Sequence, residues 1–231
     1  MEQETISSEE SHFDFIVRVM RENDGFLRKK AENAYTEVIE LENDAIDYTI
    51  SAVKRKEGRE DYVKRPMSFF LQSVLMPYSY AIHTDLLTGN LPVCFMELRL
   101  MLESLAKSYI ADLHPNKNLF FETKLELLEE LMGKEKISIS KLMKDFGKEL
   151  GLKYEPLALW GKLSQEWAHP RGIIKGIVDQ LVKKSNPPPY ALVIPMSYAE
   201  DDLDNINKLS KRISQFRDIL KSAVNKHREA I

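Results

Sequence analysis

From Leu27 onward the chain repeats apolar residues at an alternating four-three spacing: Leu27, Ala31, Ala34, Val38, Leu41, Ala45, Tyr48 and Ala52. That interval keeps every member on one side of an α-helix. Tyr35, Ile39, Ile46, Ile50 and Val53 widen the stripe beyond the narrow seam of a two-stranded coil. The spacing predicts a helix over residues 26–56, about 45 Å long at a rise of about 1.5 Å per residue. A helix of that length needs a bundle, or a second copy of itself, along its flank. Before it, Phe13, Ile16, Val17 and Met20 mark a shorter helix. That helix is expected to close at Asn23-Asp24-Gly25, because Asn and Gly favour the left-handed conformation that ends helices. Near the other end of the chain, Ile206, Leu209, Ile213, Phe216, Leu220 and Ala223 form a second stripe of the same kind. Ser197-Tyr198-Ala199-Glu200 reads as the capping box that opens it. The two striped helices are natural partners.

Between them the pattern is denser. Residues 68–87 predict a helix kinked at Pro77. Thr88-Gly89-Asn90 ends it, with Asn90 expected to cap the next helix and Pro92 in its first turn. That helix, over 91–113, carries Phe95, Met96, Leu98, Met101, Leu102, Leu105, Tyr109 and Ile110 around most of its circumference. Such an all-round apolar helix belongs at the centre of a bundle. Shorter helices are expected over 118–132, 140–150, 156–168 and 173–184, separated by Gly133, Gly151, His169-Pro170-Arg171-Gly172 and a run of prolines. Tyr190-Ala191-Leu192-Val193-Ile194 is the one extended segment, and flanking prolines restrict it to an isolated or edge strand. The resulting expectation is an all-α fold: a helical bundle in a single domain over 1–231, with at most one short strand near 190–194. Within it, 1–11 is a flexible lead, 12–57 a long N-terminal helical region, 67–185 the bundle core and 197–229 a long C-terminal helix.

Composition changes this picture little. A net charge of −3 gives no global attraction to nucleic acid or anionic lipid. Cys94 is the only cysteine, so an intramolecular disulfide and a cysteine-based zinc cluster are excluded. Its apolar neighbours mark it as a small buried hydrophobe. The opening residues are polar and acidic, unlike a secretory signal, and no apolar run approaches the ~20 residues of a membrane span. The expected location is the cytoplasm, without a membrane partner.

Glycine-rich phosphate loops, dinucleotide fingerprints, nucleophile elbows and His-Glu-x-x-His are absent from the sequence. Three groupings remain. Arg99, Glu103 and Lys107 stand four residues apart on the central helix. They form either an intrahelical charge ladder or, because little of that helix can be exposed, the polar part of a pocket. Ser164, Glu166, Trp167 and His169 gather hydroxyl, carboxylate, indole and imidazole within two turns. Glu166 and His169 also make the Glu-x-x-His spacing of di-iron bundles, but such sites use two pairs and two further glutamates. Glu166 and His169 are therefore only weak metal candidates, and no cofactor is expected. Lys208, Lys211, Arg212, Arg217, Lys221, Lys226 and Arg228 make the last helix basic, diluted by Asp201, Asp202, Asp204 and Asp218.

The segment Phe95-Met96-Glu97-Leu98-Arg99-Leu100-Met101-Leu102-Glu103, followed by Leu159-Trp160-Gly161-Lys162-Leu163-Ser164 and then His169, resembles a loosely defined set of prokaryotic helical proteins. Some of these are similar to HEPN-type bundles, which include RNA-cleaving toxins and their inactive relatives. The resemblance spans residues 68–185 and implies that Arg99 and Glu103 face Ser164 and His169 across the core. In such a site His169 would act as general acid or base and Arg99 would bind phosphate. Active members carry Arg, four to six residues, then His, and this chain has no such pair. The sequence thus points first to a non-catalytic interaction or scaffold protein, a homodimer or the holder of another protein partner. An RNA-associated module built on Arg99, Glu103, Ser164 and His169 is the alternative, and whether nucleic acid is a partner stays open. A metal-binding bundle ranks third.

Overall fold

A computed structural model describes residues 11–54, 63–166 and 195–229. These residues form an all-α bundle: α1 (His12–Lys30), α2 (Glu32–Lys54), α3 (Pro66–Phe70), α4 (Met76–Leu87), α5 (Leu91–Asp112), α6 (Phe121–Lys134), α7 (Ile139–Leu150), α8 (Glu155–Glu166) and α9 (Leu203–Glu229). No strand occurs among the described residues. The extended segment at 190–194 and the helix expected over 173–184 lie outside them.

Both stripes fold as cores. Leu27, Ala31, Ala34, Val38, Leu41 and Ala45 are buried, as are Ile206, Leu209, Ile213, Phe216, Leu220 and Ala223. They meet because α2 and α9 pack along one another in the most extensive helix pair among the described residues. Arg217 of α9 fastens the pair, donating from Nε to Asp44 at 2.7 Å and from a terminal nitrogen to Glu37 at 2.9 Å, with Glu40 at 3.4 Å. Both stripes thereby find their partner inside one chain.

The first helical boundary differs from the expectation. α1 runs on through Asn23-Asp24-Gly25, and the break falls at Ala31, whose backbone sits at φ −140°, ψ 37°. Asn23 is not a cap because its side chain is fully buried and engaged at long range. Its amide nitrogen donates to the carbonyls of Leu87 (2.8 Å) and Met196 (3.0 Å), and its oxygen accepts from Tyr198 N–H (2.8 Å). A side chain satisfied this way has no reason to stop its own helix.

Pro77 acts more broadly than a kink. Proline lacks an N–H and its ring crowds the carbonyl four residues back. The preceding turn, Leu71–Leu75, widens into a π-helical turn in which Met76 N–H reaches the Leu71 carbonyl. Thr49 of α2 donates to the same carbonyl at 3.2 Å.

The cap at Ser197–Glu200 shifts by two residues: Asp202 accepts from Ala199 N–H at 2.9 Å. Ser197 instead donates to Glu22, and Glu200 pairs with Lys30. Asn90 precedes α5 without a side-chain cap, because its amide donates to Asp85 at 3.1 Å.

α5 is the central helix. Leu91, Cys94, Phe95, Leu98, Met101, Leu102, Leu105 and Ala106 are sealed within the core, and α3, α4, α6, α7, α8 and α9 all contact it. Two apolar side chains on it escape burial: Met96 is 44% exposed and Leu100 42%. No described helix is long and apolar enough to cross a membrane.

Candidate functional site

Helical spacing puts Arg99 and Glu103 one turn apart on α5, and their side chains join: Arg99 Nε donates to Glu103 Oε1 at 2.9 Å. The pair is neither in the sealed core nor fully in water, since the side chains keep 28% and 23% exposure. Their third partner is Trp160 of α8, half-buried against the core. Its indole N–H donates to the same Glu103 oxygen at 2.6 Å, and the Arg99 guanidinium lies 5.4 Å from its ring centroid. One carboxylate oxygen thus receives two donors while the cation covers the indole face. Ser164, one turn further along α8, donates to the Trp160 carbonyl at 2.7 Å. Two of the four candidate residues, Arg99 and Glu103, come together with Trp160, whereas Ser164 bonds only the backbone of its own helix. His169 lies outside the described residues, as does the side chain of Glu166, which ends α8. Lys107 does not extend the ladder; it crosses to Glu129 of α6 at 2.8 Å.

Arg99 and Glu103 form one rim of an open groove of about 380 Å³, whose other lining residues are Val93, Met96, Glu97 and Leu100. Glu97 is its chemically unusual member. Its Oε2 is buried with no hydrogen-bond partner among the described residues. Burial, reinforced by the nearby Asp85 carboxylate, pushes the Glu97 carboxyl up to about 8. Cys94, beneath the same face, is buried and donates weakly to the Ile82 carbonyl, and burial raises its thiol well above the usual range. A thiol in that condition is unreactive.

Two further polar clusters escaped the sequence reading. Lys124, with 1% of its side chain exposed, donates to the Lys64 carbonyl at 2.7 Å and lies 3.5 Å from Asp112. Asp112 also receives His227 Nε2 at 2.7 Å and the Met67 N–H at 3.4 Å. This knot ties α3, α5, α6 and α9 together. At the α1–α2 break, Tyr35 donates to Asp24 (2.8 Å) and meets His83 Nε2 (3.1 Å), while His83 Nδ1 meets Glu42 (2.8 Å). Burial, then the bond to Asp24, pushes the Tyr35 hydroxyl up to about 12. The Arg28 hydrogen bond, followed by that from Tyr35, holds Asp24 below the usual carboxylate range. Each cluster joins residues far apart in sequence, so local spacing offered no signal for either.

No three His, Cys, Asp or Glu side chains among the described residues gather as a metal site. Part of the basic character of α9 is taken up by its neighbours: Arg217 as above, Lys226 on the Glu149 carbonyl and Arg228 over Tyr48. The fold and this site define a helical bundle with a braced polar rim beside an apolar groove. Comparison with models of known families, with characterised proteins and with solved structures gives no match.

Proposed function

We propose that this chain is a non-catalytic helical interaction protein of the cytosol that associates with itself. One observation carries the non-catalytic part: the described candidate residues satisfy each other. Glu103 Oε1 accepts from both Arg99 and Trp160, and the Ser164 hydroxyl is committed to the Trp160 carbonyl. A general base or nucleophile has to reach a substrate proton or carbon, whereas Glu103 holds α8 against α5 through Trp160 and the Ser164 hydroxyl is spent on its own helix. Self-association draws on surface other than the two stripes, which cover one another. Phe120, Leu127 and Leu131, exposed at and along α6, are apolar surface that such a contact would bury.

Size-exclusion chromatography with light scattering at micromolar concentration tests the association. A dimer is expected for the parent chain, and Leu131→Glu should shift it towards monomer. A strict monomer throughout would overturn self-association. The non-catalytic reading is tested separately by incubating the protein with single-stranded and structured RNA. RNA cleavage that disappears in His169→Ala would establish the ribonuclease alternative instead.

A further inference from the structure

A second groove, of about 340 Å³, opens where α3, the π-helical turn, α5 and α6 meet. Part of its lining is apolar. Phe69 of α3 and Phe121, the first residue of α6, stack with ring centroids 4.4 Å apart at an interplanar angle of 14°, and Val74 and Leu125 continue that wall. The rest is polar. α6 contributes Glu122, Glu126 and Glu129, which stand three and four residues apart and so share one helical face, and α5 contributes Lys107 and Ser108.

The charges of this lining do not cancel. Lys107 pairs with Glu129 at 2.8 Å. Glu122 and Glu126 are exposed and have neither ion pair nor hydrogen bond among the described residues. Acidic side chains on a surface helix are ordinary and mark no site by themselves. Ser108 is the independent sign. Ser79, Ser164 and Ser222 each donate to a carbonyl of their own helix, at 2.8, 2.7 and 3.0 Å. The Ser108 hydroxyl has no hydrogen bond among the described residues, although the residue is only 4% exposed. A buried hydroxyl left unpaired is costly, and this one lines the groove, where a polar atom of a ligand would satisfy it.

We propose that this groove binds a small organic amine. An aromatic or branched apolar body lies against Phe69, Phe121, Val74 and Leu125, a protonated nitrogen is drawn to Glu122 and Glu126, and a hydroxyl or other polar atom meets Ser108. The volume falls at the small end of ligand sites, which span about 300–1,000 Å³. Phenylalanine faces favour a cation as well. The three carboxylates do not gather as a metal site, so a bare divalent ion is not the occupant. Apolar contact supplies most of the affinity, because exposed carboxylates are screened by water; their part is to select the sign of the ligand's charge. Leu127 and Leu131 do not line the groove, so the site is independent of self-association through them.

The test is an amide-resolved NMR titration of the full chain with tyramine, at about 20 mM salt to limit screening. Its comparator is 4-hydroxyphenylacetate, which keeps the phenol and reverses the charge. Tyramine should move the amide signals of Lys107, Ser108 and residues 121–129 saturably, with a Kd of about 1 mM or tighter. The acid should bind at least about tenfold more weakly. Replacing both Glu122→Gln and Glu126→Gln should weaken tyramine about tenfold, and Ser108→Ala about threefold. Lys107→Met, which frees Glu129, should strengthen it about threefold. Absence of saturable shifts at these residues would overturn the proposal. So would equal binding of the amine and the acid, or tyramine affinity unchanged by the Glu122/Glu126 or the Ser108 substitutions.

Discussion

The knot at Asp112 permits a prediction about sign as well as size. Asp112→Ala removes the carboxylate that lies 3.5 Å from Lys124 Nζ and 2.7 Å from His227 Nε2, in a place where the lysine side chain is 1% exposed. A buried ammonium stripped of its counter-charge is costly, and about 3–5 kcal/mol of stability should be lost. Lys124→Met alone is milder. Asp112 keeps His227 and the Met67 N–H, and the principal loss is the 2.7 Å bond to the Lys64 carbonyl, about 1–2 kcal/mol. The double variant should then be more stable than Asp112→Ala by about 1–3 kcal/mol, because the stranded charge has gone with its partner. Urea unfolding followed by circular dichroism, compared at a common slope, measures all four corners of the cycle. If the two losses simply add, Lys124 does not depend on Asp112, and the reading of the knot as a coupled unit is wrong.

Other substitutions test separate parts of the structure. Trp160→Phe removes the 2.6 Å indole bond to Glu103 but leaves Arg99 in place, and should cost about 1 kcal/mol in urea. Gly89→Ala should cost about 1–3 kcal/mol, read as a lowered melting temperature, since φ is +78° and a Cβ there would overlap the Met196 carbonyl oxygen. Glu97→Gln should change the pH dependence of stability. The folded carboxyl keeps its proton up to about 8, whereas in the unfolded chain it loses it near the reference 4.5. Between those values the unfolded state binds fewer protons, so this group's contribution falls as pH rises. The variant should therefore gain on the parent from pH 5 to pH 8 in urea midpoints; a constant difference would remove the argument.

What could be read from the sequence was whatever depends on period. The stripes at Leu27–Ala52 and Ile206–Ala223 and the all-round apolar helix at Phe95–Ile110 specify buried faces by residue spacing alone. Their described members occupy those faces or pack against them, apart from Met96 and Ile50, which are exposed, and Ile46, which is only half-buried. The Arg99–Glu103 pair was legible for the same reason, being one turn apart. Boundaries fared worse wherever a polar side chain had a distant use. Asn23 looked like a stop signal, yet its partners are residues 64 to 175 positions away. Asn90 looked like a cap, yet Asp85 takes its amide. Glu200 completed a capping pattern on paper, but Lys30 claims it. In each case a local motif competed with a tertiary or side-chain contact, and that contact won.

The central helix shows why Arg99 and Glu103 stand out in the sequence and what holds them in the fold. Arg99 and Glu103 are conspicuous because charge is rare on so apolar a helix. Rarity is equally what a structural brace demands, since a carboxylate near the core is tolerable only when donors satisfy it. Glu103 receives two, from different helices, and this fixes the α5–α8 packing in a way that an apolar contact alone would not. Glu97 lies on the groove side, next to Met96 in the chain, and its buried Oε2 receives none among the described residues. The chemical asymmetry of α5 therefore runs against the sequence impression: the charged pair that catches the eye is satisfied, and the unsatisfied oxygen belongs to the carboxyl beside it.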